Sequence, residues 1–248
     1  MESIQVWFRF YEELNDFLRE SRKGIEFSHQ VKGSPSVKDA IESLGVPHTD
    51  VDMIIANGNP VDFAYRLKQG DQISVYPVFE SFDISKVSPL RPKPLRDTRF
   101  ILDVHLGKLA KYLRLCGFDT AYRNDFSDTD IIGMSLSQHR IIITRDRGIL
   151  KNGKVTHGYW IRSKDPESQI QEVFDRFDLR SSANPFSRCM ECNGDLKIAA
   201  KDAISERLLP KTKRYFDKFM ICQSCGRIYW EGSHYKRMKR FLDERFFG

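Results

Sequence analysis

Hydrophobic residues alternate over 4–10, with Ile4, Val6, Phe8 and Phe10 on one face. A period of two predicts a strand with one buried side. A second short strand follows over 25–29. Beyond Ser36 the period changes. Val37, Ala40, Ile41 and Leu44 fall at i, i+3, i+4 and i+7, which predicts a helix with Ser36 and Asp39 as its capping box and Gly45 as its stop. Ile54-Ile55-Ala56 then runs into Asn57-Gly58, a strong hairpin signal. Alternation returns in Ile73, Val75 and Phe79. Strand, strand, helix and two or three further strands predict a small α+β unit over 1–80.

The pattern breaks over 81–98, where Pro89-Leu90-Arg91-Pro92-Lys93-Pro94 predicts a linker. After it, short apolar strands at 99–103, 118–122, 140–144 and 155–161 alternate with helical stripes. Leu106, Leu109, Ala110 and Leu113 form one stripe, with Lys108, Lys111 and Arg114 off that face; residues 128–138 form another helix. Asp165-Pro166 opens a third, carrying Ile170, Val173, Phe174 and Phe177. Such alternation predicts a parallel sheet.

Composition narrows the picture. With 248 residues, 40% hydrophobic and 30% charged, the chain is neither collagen-like, disordered nor a disulfide scaffold. No run approaches the roughly 18 apolar residues of a membrane span. Met1-Glu2-Ser3-Ile4-Gln5 lacks the features of a secretory signal, so a cytoplasmic protein is expected. The net charge of +6 is unevenly spread: residues 1–80 carry −5, while 197–248 hold 13 Lys+Arg against 6 Asp+Glu. An acidic head and a basic tail suggest modules with separate jobs.

Ligands of open parallel sheets bind beyond the carboxyl ends of the strands. Asp103 ends the first strand of the α/β region and Asp146 follows the strand 140–144. A third acid comes from Asp125, Asp128 or Asp130, just where a helix begins. Clustered carboxylates repel one another unless a hard cation such as Mg²⁺ or Mn²⁺ neutralises them, and such a cation can promote phosphodiester hydrolysis. Each acid also has an ordinary role available. Asp103 could cap the following helix, Asp146 could shape a turn, and Asp130 could complete a capping box with Ser127.

The cysteines sort as sharply. Cys189-Met-Glu-Cys192 and Cys222-Gln-Ser-Cys225 are two C-x-x-C pairs, the ligand set of a closed structural Zn²⁺ site. Asn193-Gly194 and Gly226 follow them, where positive φ lets N–H groups turn toward sulfur. The 29 residues between the pairs exceed ribbon spacing, so 201–218 reads as a helical insertion. Basic and aromatic residues interleave over 227–240, suiting phosphate contacts and base stacking. Cys116 sits on an apolar helix face and is expected in the core. Gly148-(x₄)-Gly153-Lys154-Val155 mimics a phosphate loop but lacks its Ser/Thr.

Two resemblances add to these observations. The first 80 residues resemble the ubiquitin-like β-grasp fold of small sulfur-carrier proteins, without the terminal Gly-Gly that their chemistry needs; a docking or regulatory role remains. Phe100-Ile101-Leu102-Asp103, Gly107-Lys108-Leu109-Ala110, Leu113-Arg114, Gly117-Phe118-Asp119-Thr120, Asp130-Ile131-Ile132 and Ile142-Ile143-Thr144-Arg145-Asp146 resemble the PIN-like RNase domain of the Mut-seven C-terminal family. That family carries a β-grasp domain ahead of the nuclease in a known arrangement. The resemblance implies a metal centre at Asp103, Asp130 and Asp146. Arg147-Gly148 offers no fourth acid, which leaves Asp125 or Asp128 for that place.

The expectation is thus an α+β and α/β multidomain protein. It comprises a β-grasp domain over 1–80, a linker over 81–98, a PIN-like domain over 99–182, and a zinc ribbon with basic tail over 183–248. The expected activity is ribonucleolytic, with Lys108 and Arg145 contacting RNA and a protein partner on the β-grasp domain. The alternative is a non-catalytic RNA-binding or adaptor protein with the same fold.

Overall fold

The computed structural model describes residues 3–77 and 98–247. The linker expected over 81–98 lies outside the described residues except for Thr98, as does Phe79.

The head is built from β1 (Ser3–Phe10), β2 (Phe27–Lys32), α1 (Val37–Ser43), β3 (Val51–Ala56), β4 (Asn59–Val61) and β5 (Gln72–Pro77). These strands form one mixed sheet in the order β2-β1-β5-β3-β4, with β1 parallel to β5 and the other pairs antiparallel. Alternation in β1 buries Val6, Phe8 and Phe10, as the pattern predicts. The second strand begins two residues later than predicted. Its inward face is set by the register Phe8↔Phe27 and Ile4↔Val31, which leaves Ile25 52% exposed before the strand. At α1, the Ser36 hydroxyl accepts from the Asp39 N–H at 3.1 Å while the Asp39 carboxylate accepts from the Ser36 N–H at 3.3 Å. Asn57 and Gly58 take φ of 50° and 82°, the left-handed pair that a tight β3–β4 hairpin requires.

The central segment runs β6 (Arg99–Leu102), α2 (Gly107–Leu115), β7 (Asp119–Ala121), α3 (Asp128–Gln138), β8 (Ile141–Thr144), α4 (Arg147–Leu150), β9 (Gly158–Trp160) and α5 (Pro166–Phe177). β6 pairs with β7 in parallel, and β8 pairs with β9 in parallel. In each pair the strands are bridged by a helix, the α/β pattern read from the chain. The C-terminal part contains β10 (Leu196–Ala199), α6 (Lys201–Ile204), α7 (Pro210–Tyr215), β11 (Phe219–Cys222), β12 (Ile228–Trp230) and α8 (Ser233–Leu242). Its strands form an antiparallel sheet, β10-β11-β12, and α6 and α7 occupy the expected insertion.

The described residues 3–77 pack with 128–160 as one unit, and 98–127 pack with 161–247 as another. Within the first unit the head is not a detached module. Phe17 is buried in the head's core, and Trp160 from β9 packs against that core with ring centroids 4.9 Å apart. The Arg147 guanidinium lies 4.8 Å from the Phe17 ring and 3.9 Å from the Trp160 ring, a cation held between two π faces. His48 joins the same contact, one ring nitrogen 2.6 Å from Glu42 and the other 2.7 Å from the Val155 carbonyl.

In the second unit, α2 and α5 supply Leu109, Leu113, Ile170, Val173 and Phe174 to a core that includes Phe100 and Phe118. Asp165 caps α5 by accepting from the Ser168 N–H at 2.9 Å, with Pro166 at the first helical position. No helix among the described residues is long and apolar enough to cross a membrane.

Phe17→Ala removes one wall of the Arg147 sandwich and part of a closed core. Urea unfolding of the full chain should show a loss of about 3 kcal/mol, whereas a loss within experimental error would contradict the shared core.

Candidate functional site

The C-terminal sheet brings together all four cysteines of the two C-x-x-C pairs. The Cys189, Cys192, Cys222 and Cys225 sulfurs lie within 4.8 Å of one another. Cys189 and Cys225 are 3.7 Å apart and Cys192 and Cys222 3.3 Å, against roughly 3.8 Å between ligands on a tetrahedral zinc. The two pairs share one backbone turn. The Asn193 N–H donates to the Cys189 carbonyl at 2.9 Å, and the Gly226 N–H donates to the Cys222 carbonyl at 3.0 Å. Asn193 and Gly226 take φ of 69° and 71°, so the residue after each pair must tolerate the left-handed region, as their positions in the sequence suggested. A side chain at Gly194 would run into Ser224 and approach the Cys222 sulfur at 2.9 Å.

The thiols do not ionise independently. Burial and hydrogen bonds from neighbouring thiols push Cys192 up to about 12. Burial also opposes ionisation of Cys222, but the Cys225 and Ser224 N–H groups outweigh it and bring that thiol down to about 7. Four sulfurs this close cannot all carry charge without a cation among them, and an all-thiolate set suits zinc. The Tyr229 hydroxyl, 3.0 Å from the Cys189 sulfur, is held protonated by burial and by that neighbour.

One residue of this region escaped the periodicity argument. Arg114 falls off the Leu106–Leu113 stripe, yet it is only 3% exposed. Its guanidinium donates to the Thr120 carbonyl at 2.9 Å and to the Met190 and Glu191 carbonyls at 3.1 and 2.8 Å. Asn193 adds two bonds, accepting from the Thr120 N–H at 2.9 Å and donating to Asp119 at 2.7 Å. The first cysteine turn is thereby fastened to α2 and β7. The flanking Leu113 and Leu115 were the available signal that Arg114 faces inward.

The expected acids sit as follows. Asp103 ends β6 and is buried, 7% exposed; it precedes a 3-10 turn but makes no side-chain cap bond to it. Asp128 and Asp130 lie exposed in the first turn of α3, where the helix dipole favours negative charge. Asp125 is engaged by Arg123 through contacts of 2.9 and 2.6 Å. Asp146 caps α4, one oxygen accepting from the Gly148 N–H at 2.6 Å, so the turn role available to it from sequence is real. That turn is tightly held: the Asp146 N–H donates to the Thr144 hydroxyl at 2.8 Å, and Trp160 donates to the Arg145 carbonyl at 3.2 Å. Arg147, next in sequence, is the residue sandwiched by Phe17 and Trp160. Lys108 lies exposed in the first turn of α2, and the Arg145 side chain is exposed after β8. Cys116 is fully buried, and burial pushes its thiol up to about 12, in keeping with a core residue.

Residues 98–242 match the family model described as the Mut7-C RNAse domain. Residues 3–83 match the model described as Mut7-C ubiquitin. No curated protein matches the chain.

The thiol geometry predicts a single equivalent of tightly bound zinc in the purified protein, released on acidification as protons compete for sulfur. With metal bound, iodoacetamide at about pH 8 should leave the thiols intact. After chelation four should alkylate, while Cys116 remains protected. Mass spectrometry of the alkylated peptides checks this; a chelator-treated chain whose paired cysteines stay unreactive would contradict it.

Proposed function

The chain belongs to the Mut7-C RNAse domain family, and on that premise we propose that it is a metal-dependent ribonuclease. The observation that carries the proposal is the match of residues 98–242 to that domain, because it covers the strand-end acids and the cysteine ribbon together. In this proposal Asp103, Asp130 and Asp146 hold Mg²⁺ or Mn²⁺. Their chemistry fits a hard cation: three carboxylates, one of them buried and one already oriented by a backbone N–H. Such a cation, when bound, stabilises the charge that builds up on phosphorus oxygens and lowers the pKa of an attacking water.

The protein's own groups supply the rest. Lys108 and Arg145 neutralise the RNA backbone. Asp128, at the start of α3 and not engaged by Arg123, suits the fourth acidic place better than Asp125 does. The clamp of Phe17 and Trp160 on Arg147 keeps the Asp146 turn from rearranging, which gives the ubiquitin-like head a part in the nuclease itself. A protein partner on the remaining surface of the head belongs to the same proposal. So does a cytoplasmic location, where reducing conditions keep the paired cysteines available for zinc.

Asp103→Asn and Asp146→Asn should each reduce cleavage of single-stranded RNA by at least about 10³-fold at saturating Mg²⁺ or Mn²⁺, with zinc content unchanged. Gel assays of end-labelled RNA measure this. Wild-type cleavage that survives in both variants contradicts the assignment, and RNA binding without cleavage in wild type at any concentration of either metal points to the adaptor alternative.

A further inference from the structure

We propose that the C-terminal ribbon and α8 form a binding site for the bases of single-stranded RNA, separate from the acids assigned to cleavage. It takes RNA as ligand from the function proposed above but uses none of the residues that would hold Mg²⁺ or Mn²⁺.

A cavity of about 950 Å³ opens beside β10, β11, β12 and the start of α8. Its size falls at the upper end of small-ligand sites, enough for more than one nucleotide. Tyr229, Trp230 and Tyr235 line it with Met190, Met220 and Met238. Trp230 remains 38% exposed, an indole available as a stacking face. His234 and Ser233 stand at the same wall and offer polar groups to base edges.

Charge selects the occupant. Two acids on the lining are already neutralised: Glu191 by Lys111 and Arg227, and Asp217 by Lys201. On α8, Lys236, Arg237 and Arg240 are exposed and make no ion pair among the described residues, whereas Lys239 is paired with Asp243. The lining itself is balanced, with Arg188, Lys218 and Arg227 against Glu191, Asp217 and Glu231, so the surplus positive charge lies beside the cavity on α8. An apolar peptide helix would fill the cavity but gain nothing from those α8 cations. A single strand uses both, bases against the aromatic wall and phosphates along α8.

The test uses the full chain carrying Asp146→Asn, in buffer without Mg²⁺ or Mn²⁺, and a fluorescein-labelled oligouridylate of about twelve nucleotides. Trp230→Ala should weaken binding about tenfold without changing its salt dependence, since it removes stacking and leaves the phosphates neutralised. Arg237→Gln should instead flatten the salt dependence, by roughly 0.7 in the logarithmic slope for each phosphate no longer neutralised. Zinc content reports folding; should Trp230→Ala lose its metal, Met238→Glu poses the same question from α8. Thiouridine-containing oligonucleotide should crosslink within residues 227–240 of the chain with its cavity unaltered.

Unchanged affinity in folded Trp230→Ala and Met238→Glu, or crosslinks confined outside 227–240, overturns the proposal. Displacement of the RNA by an amphipathic leucine-rich peptide overturns it in favour of a protein helix. Because binding is read without cleavage, a site that fails here leaves the nuclease assignment standing, and loss of that assignment leaves this site standing.

Discussion

A buried guanidinium fastens the cysteine ribbon of this protein to the strand and helix that precede it. Burying a cation is costly unless its donors are satisfied and negative charge lies nearby. Arg114 meets both conditions, with carbonyl acceptors from β7 and from the first cysteine turn, and with the sulfurs of Cys189 and Cys192 close enough to favour its charge. Burial alone would push its pKa down; the sulfurs and Glu191 act against that. The cysteine turn, Arg114 and the strand β7 therefore form one chain of dependence, which a metal held by the four sulfurs would join. Loss of such a metal would protonate the sulfurs, which would weaken the field around Arg114 and loosen the turn that fastens the ribbon to α2.

A second clamp does comparable work for residues 128–160. Arg147 between Phe17 and Trp160 fixes the turn that bears Asp146, and the Thr144, Trp160 and Gly148 hydrogen bonds leave that turn little freedom. Catalytic carboxylates are useful only when their geometry is set before substrate arrives. In the proposed nuclease the ubiquitin-like head would thus contribute rigidity where a carrier protein would contribute a reactive terminus.

What the sequence made legible was local. The Ser36–Asp39 capping box, the Asn57-Gly58 hairpin, the Asp165-Pro166 helix start and the two cysteine turns each rest on residues a few positions apart, and each forms as their chemistry demands. Strand ends placed Asp103 and Asp146 as candidates, since a parallel strand must finish where its apolar run stops. The long-range contacts were not legible. Phe17 and Arg147 are 130 positions apart, and no periodicity relates them. Arg114 looked like one more cation on an amphipathic helix, because a helical stripe records which faces are apolar and not which backbone carbonyls wait for a donor. The start of β2 shifted for the same reason, being decided by pairing with β1 and not by its own alternation.

The proposed Mg²⁺ or Mn²⁺ centre requires Asp103, Asp130 and Asp146 to share one divalent cation. Isothermal titration of Mn²⁺ into the zinc-loaded chain tests it without requiring a known RNA. A shared ion predicts a Mn²⁺ site in wild type that is weakened at least about tenfold by each of Asp103→Asn, Asp130→Asn and Asp146→Asn alone, because each removes one charged ligand from it. Wild-type affinity in any of the three folded variants would contradict it.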